Sequence, residues 1–224
     1  LRELVFRTEA YLGGEELEGQ VFPDDAQRAL MAAGRSTQAE GRTLTVVAPD
    51  RPGHLSRVAG VVALHGLDVL AASAHSEDGT ALTVVQVAAA PDRGWDAVVA
   101  TLDEQLDGED ELAPQLADRA RTYARRRSSA TSTEVDVRFF DDASDRATVV
   151  EVHAPDGVGV LSAIAGALAS CGLDVQQAMV QTIGDAVVDS FYVQEADGSR
   201  VSDLERRAEV AAAVRGALEA QPVA

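Results

Sequence analysis

The sequence predicts an α+β protein in which one βαββαβ unit is used twice behind a short helical lead-in. The first observation behind this is an internal repeat. Residues 46–72 read VVAPDRPGHLSRVAGVVALHGLDVLAA and residues 152–178 read VHAPDGVGVLSAIAGALASCGLDVQQA, offset by the distance from Asp50 to Asp156. Aligned without a gap, 15 of these 27 positions are identical, so one supersecondary unit has been used twice. The second observation is that each copy opens on a short β-branched run and stops at Pro-Asp, which reads as a strand and its turn. The third is an apolar stripe at helical spacing that follows: Leu55, Val58, Ala59 and Val62 in one copy, Leu161, Ile164, Ala165 and Leu168 in the other. A stripe of that width must lie on a sheet.

Taken in order, residues 1–12 predict a short amphipathic helix ended by Gly13-Gly14. A second helix is expected over residues 24–33, started by Asp24 and ended by Gly34, and residues 35–42 read as linker. The first unit begins with a strand at residues 44–48, its helix stops at Gly66, and strands follow at residues 68–76 and 81–88 around the turn Glu77-Asp78-Gly79. A helical pattern from Trp95 to Leu106 and an extra helical stretch at residues 113–127 precede a strand at residues 135–140, expected to close this unit. The second unit repeats the order: a strand at residues 148–152, a helix stopped by Gly172, strands at residues 174–182 and 187–194 around Gly184-Asp185, and a helix from Leu204 to Leu218. This is the split βαβ arrangement of a ferredoxin-like sandwich. No closing strand follows in the second unit, whose tail is Gln221-Pro222-Val223-Ala224. Its first strand is therefore left as an edge that another segment or subunit should cover. The expected boundaries are 1–42 for the lead-in, 43–141 for the first unit and 147–220 for the second.

Composition bounds the function. A formal charge of −18 argues against nucleic acid, which needs a basic footprint. All 19 basic residues are Arg, and the only dense cluster is Arg125, Arg126 and Arg127, a solvated helix end or a dock for an acidic partner. No apolar run approaches the roughly 20 residues of a membrane span. The single cysteine, Cys171, permits no internal disulfide and reads as an inert thiol of a cytoplasmic protein. The chain opens on Leu1 rather than Met and reads as a piece of something longer. No nucleophile elbow, P-loop or dinucleotide fingerprint occurs, nor do the acidic pair of a nucleotidyltransferase or the His-Asp pair of a metal hydrolase. The chain is expected to sense rather than catalyse. His54, His65 and His153 have no metal-ligand spacing with Cys171 or with one another, so neither a metal nor a cofactor is expected.

The repeated Asp-x-x-Gly turn carries the chemistry. Its glycine lets a ligand approach the backbone, and the first-turn amides with the positive end of the helix dipole favour a carboxylate. An aspartate beside them can face an ammonium group, so the turn suits a free α-amino acid. The structural alternative is an N-cap, in which the same aspartate satisfies the helix amides and contributes about 1 kcal/mol.

Strand, Asp-x-x-Gly, helix, Gly-Leu-Asp-Val, strand resembles the ACT domain, a small ligand-sensing module. The first copy, with VVDSFYVQ at residues 187–194, is similar to the tandem ACT region of the PII uridylyltransferase/uridylyl-removing enzyme family. Residues 1–15 (LRELVFRTEAYLGGE) and 27–34 (QRALMAAG) resemble the segment leading into that region from the preceding hydrolase domain. The resemblance implies a regulatory region of a bifunctional enzyme that attaches UMP or AMP to the PII nitrogen signal protein and removes it again. Its effector would be glutamine, its partner PII, and magnesium would serve the parent's own catalytic domains. It also implies effector loops at Asp50, Arg51, Gly53, His54 and Leu55, and at Asp156, Gly159, Val160 and Leu161. His54 stands where the family carries an apolar residue, and Gly157-Val158 replaces Arg51-Pro52 in the second loop, so the first loop is the better candidate. His75 lies near the expected groove and could bond an effector side chain or be satisfied within the sheet; its counterpart is Gln181. Asp189, on the expected third strand of the second unit, would be structural or line the cleft. Pairing between the two units or a homodimer would complete the pockets. The alternative reading is a stand-alone tandem ACT regulator that acts by binding a partner, as a glycine-cleavage repressor does.

Overall fold

The computed structural model of the chain describes residues 22–108, 112, 114–116, 118–119, 135–142, 144–183 and 186–220. The expected helix at 1–12, most of that at 113–127, Arg125–127 and the Gly184-Asp185 turn lie outside the described residues.

The chain is a mixed α/β protein built on one eight-stranded antiparallel sheet. Helix α1 (Asp25–Ala33) starts at a reciprocal cap, in which the Gln27 amide donates to the Asp24 carboxylate and the Asp24 amide to Gln27 Oε1. Strands β1 (Ser36–Glu40) and β2 (Thr43–Pro49) form a hairpin, so the expected linker at 35–42 is corrected to an edge strand. The sequence STQAE lacks apolar alternation because an edge strand with one neighbour has little to bury. Helix α2 (His54–Leu64) follows, then β3 (Val69–Glu77), β4 (Thr80–Val87) and α3 (Asp96–Asp107). The β3–β4 turn places Asp78 and Gly79 at φ 49° and 74°, the pair of positive values that a two-residue hairpin demands. The second copy supplies β5 (Asp136–Phe140), β6 (Thr148–Pro155), α4 (Val160–Ser170), β7 (Asp174–Ile183), β8 (Ala186–Gln194) and α5 (Leu204–Glu219).

Strand order is β1-β2-β4-β3-β7-β8-β6-β5, which reads the same from either end once β2, β4 and β3 are matched to β6, β8 and β7. Strand β5 pairs with β6, Val137 opposite Val152. The expectation that residues 135–140 close the first unit is thereby corrected: they cover the exposed first strand of the second, and β1 does the same for the first. The two halves meet at β3 and β7, where Ser73 faces Met179 and His75 faces Gln177.

One core runs under both halves. Val46, Val58, Val62, Ile164, Leu168 and Phe191 are fully buried in it, each large apolar side chain contributing about 1.5–3 kcal/mol. Helices α2 and α4 cross at small residues. Ser56 Oγ donates to the Ser162 carbonyl at 2.9 Å and Ser162 Oγ donates to the Ser56 carbonyl at 2.9 Å, so neither buried hydroxyl is orphaned. One turn further on, a Cβ on Gly60 would stand 2.9 Å from Leu112 Cδ1 and 3.0 Å from Ser162 Oγ. Gly60→Val is therefore expected to lower stability by about 1–3 kcal/mol through overpacking, measured as a fall in the urea midpoint. An unchanged midpoint would show that the helices can part without loss.

Candidate functional site

The first Asp-x-x-Gly loop lies where β2 ends and α2 begins, against the β3–β4 turn. The Asp50 amide donates to the Gly79 carbonyl at 2.9 Å. Gly53 takes φ 80°, left-handed backbone that a side chain would strain, and heads α2 with no side-chain cap. Gly159 heads α4 with φ 81° and likewise no side-chain cap. The N-cap positions are thus held by Gly53 and Gly159, three residues beyond Asp50 and Asp156. The His54 amide is tied to the Arg51 carbonyl at 3.0 Å, and the amides of Leu55 and Ser56 stand in the first turn, where a helix offers no internal acceptor.

Loop 50–55 frames a cleft open to solvent on one side, with about 410 Å³ of empty space when its open mouth is included. Its far wall comes from the other half of the molecule: Ala165 and Ala169 of α4, then Leu173, Asp174 and Val175 where α4 turns into β7. Two carboxylates thus converge. The Asp50 carboxyl is raised above its usual range, first by burial and next by the charge of Asp174, while a hydrogen bond with Ser76 pulls it back. A cation between the two would relieve both effects. Thr83 and His54 also line this space, and Thr83 Oγ1 and His54 Nε2 are each buried with no hydrogen-bond partner. Burial, with Arg57 adding to it, pushes the His54 imidazole down to about 4, so it is neutral at pH 7.

The structure brings Asp50, Arg51, Gly53, His54, Leu55 and His75 to one cavity. His75 contributes to the rim, but strand alternation turns its ring away from the face of its core neighbour Ala74, and Nε2 stands 3.6 Å from the Glu77 carboxylate. In the second half Val160 and Leu161 are buried at the start of α4, and Gln181 pairs with Ala71 across the seam between halves. Asp189 is wholly buried, with neither carboxylate oxygen hydrogen-bonded. Burial pushes it up to about 8; the Gln181 backbone offsets a part of that, and the charge of Asp156 adds a smaller push upward. The counterpart of Asp189 in the first half is Thr83. The remaining histidines are occupied: His65 shares a hydrogen bond with Thr101 Oγ1 at 3.0 Å and His153 one with Glu151 at 2.6 Å. Burial raises the Cys171 thiol, against thiolate chemistry.

Sequence reasoning missed Asp174 and its neighbours as ligand candidates, and it missed Arg35 and Arg57 beside the loop. The Asp68/Asp174 identity within the repeat was the one available signal for the first of these. Among the described residues, no three His, Cys, Asp or Glu are grouped to hold a metal, and no helix is long and apolar enough to cross a membrane. The chain matches no protein-family model.

Proposed function

We propose that this chain is the amino-acid-sensing region of a PII-modifying nucleotidyltransferase, two ferredoxin-like ACT units in tandem, and that glutamine binds between its halves. The observation that carries this reading is the cavity where loop 50–55 meets Asp174 of the opposite copy. Asp50 and Asp174 suit the α-ammonium group, and the Leu55 and Ser56 amides suit the α-carboxylate. Thr83 Oγ1, buried and unpartnered, suits a side-chain amide, because a hydroxyl can both donate to its oxygen and accept from its nitrogen. Because the two walls belong to different halves, a bound amino acid biases their relative position, and that is how occupancy would reach neighbouring domains and the PII partner. The region itself does no chemistry in this reading.

Titration calorimetry against a panel of free amino acids tests it. Saturable heat is expected with glutamine, and less or none with glutamate, whose side-chain carboxylate would be an extra charge in a site that already holds two. Absence of heat with every amino acid would end the sensing claim; a preference for another would move the effector and leave the site.

A further inference from the structure

A second cavity lies behind the first, between the end of β2, the start of α2 and the end of α3, with about 300 Å³ of empty space including its open mouth. Arg35, Arg51 and Arg57 line it together with His54 and a single carboxylate, Asp107. The chain carries 37 acidic residues against 19 arginines, so three guanidiniums converging on one carboxylate run against its general charge.

The acidic side is already engaged. Asp107 and Asp103 both pair with Arg35, and that pairing holds the Asp107 carboxyl below its usual range. Arg51 and Arg57 make no ion pair among the described residues, and Arg57 Nε is buried without a hydrogen-bond partner. His54, which lines this space as well as the first cavity, is 6% exposed, and its Nε2 has no partner either. Buried donors are rarely left unmade. An oxyanion is the ligand that would satisfy guanidinium and imidazole donors at once, and the planar fork of arginine suits phosphate in particular.

None of this is repeated in the second half. The positions matching Arg51, His54 and Arg57 are Gly157, Val160 and Ala163, and Arg35 precedes the first copy. The feature is therefore no by-product of the duplicated fold.

We infer that this cavity is a phosphate-binding site, in which Arg35, Arg51 and Arg57 hold a phosphate group and His54 donates to it from Nε2. The anion is an inorganic phosphate or the phosphate of a monoester, since both present the same oxygens. The site shares Arg51 and His54 with the amino-acid cavity, so an anion held here would fix the wall of that cavity and couple the two ligands.

The test is calorimetry on the full chain in a chloride buffer free of other oxyanions, with inorganic phosphate, phenyl phosphate and acetate as probes. Saturable phosphate binding is expected, at least tenfold weaker in Arg57→Gln and in Arg35→Gln, with Arg57→Lys between them and wild type. Binding of phenyl phosphate as well admits the ester, and binding of the inorganic ion alone fixes the free ion; either result supports the site. Because a variant could lose its fold, the wild-type protein provides a second readout. Phosphate should shift one of the four histidine ring signals in its NMR spectrum, the one missing from His54→Gln. No phosphate binding, acetate binding as tight as phosphate, or phosphate affinity unchanged in folded Arg35→Gln and Arg57→Gln would each overturn the assignment. The readout is independent of any amino-acid heat, so failure here leaves the glutamine reading standing and the converse holds too.

Discussion

Asp189→Asn is expected to stabilise the protein, and to do so more strongly as pH rises. Wholly buried, with neither oxygen hydrogen-bonded, the Asp189 carboxyl is held protonated until about pH 8. In the unfolded chain it ionises near pH 4. The sign follows from linkage. A folded-state value raised above the unfolded one gives stability that is complete below about pH 4 and is lost progressively as pH climbs to about 8. Between pH 5 and pH 8 that loss is on the order of 4 kcal/mol, and an asparagine does not titrate. Unfolding free energies of the two proteins, measured in urea at both pH values, should therefore diverge by that order, with the variant gaining. A difference that stays constant with pH would mean that the folded protein ionises Asp189 freely, and that water or a counter-charge reaches it under the second loop.

What made Asp189 hard to interpret from sequence also limited the rest. Strands and helices inside the repeat were legible, because β-branched runs, glycine stops and helical stripes are local properties and two copies vouch for each other. Strand β1 was not, since Ser36-Thr37-Gln38-Ala39-Glu40 has no apolar alternation and owes its form to its partner. Strand β5 was found but given to the wrong neighbour, because pairing across the sheet leaves no mark within five residues. The same division holds at the site. Loop 50–55 announces itself by its glycine and its duplication. Ala165, Leu173 and Asp174, which complete the cavity, are brought there only by the docking of one half on the other. Arg35 and Arg57 belong to no motif at all, and only the fold assembles them with Arg51.

Asp50→Ala should weaken glutamine binding by roughly tenfold to a hundredfold, the span that corresponds to losing one charge-assisted contact of about 1.5–3 kcal/mol. Asp156→Ala should have a much smaller effect. The asymmetry rests on three differences between the loops. Asp50 faces a second carboxylate, Asp174, across a cavity that both line. Asp156 instead lies near the buried Asp189, which stands where the first half has Thr83. Gly157-Val158 also replaces Arg51-Pro52 in the second loop. Calorimetry on both variants, with circular dichroism to confirm that each is folded, decides the matter. A larger loss with Asp156→Ala would place the effector in the second half.

The symmetric strand order has a consequence for how the protein is made. Everything needed for the first four strands, β1 to β4, lies before Asp107, and each pairs within that stretch. A nascent chain can therefore close half of its sheet while the remainder is still on the ribosome. The strand left bare in that interval is β3, which finds its second neighbour only when β7 emerges. An unpaired strand edge is an invitation to stray pairing. The half-made protein is thus most vulnerable at the seam where, once complete, its two halves are joined into one sheet.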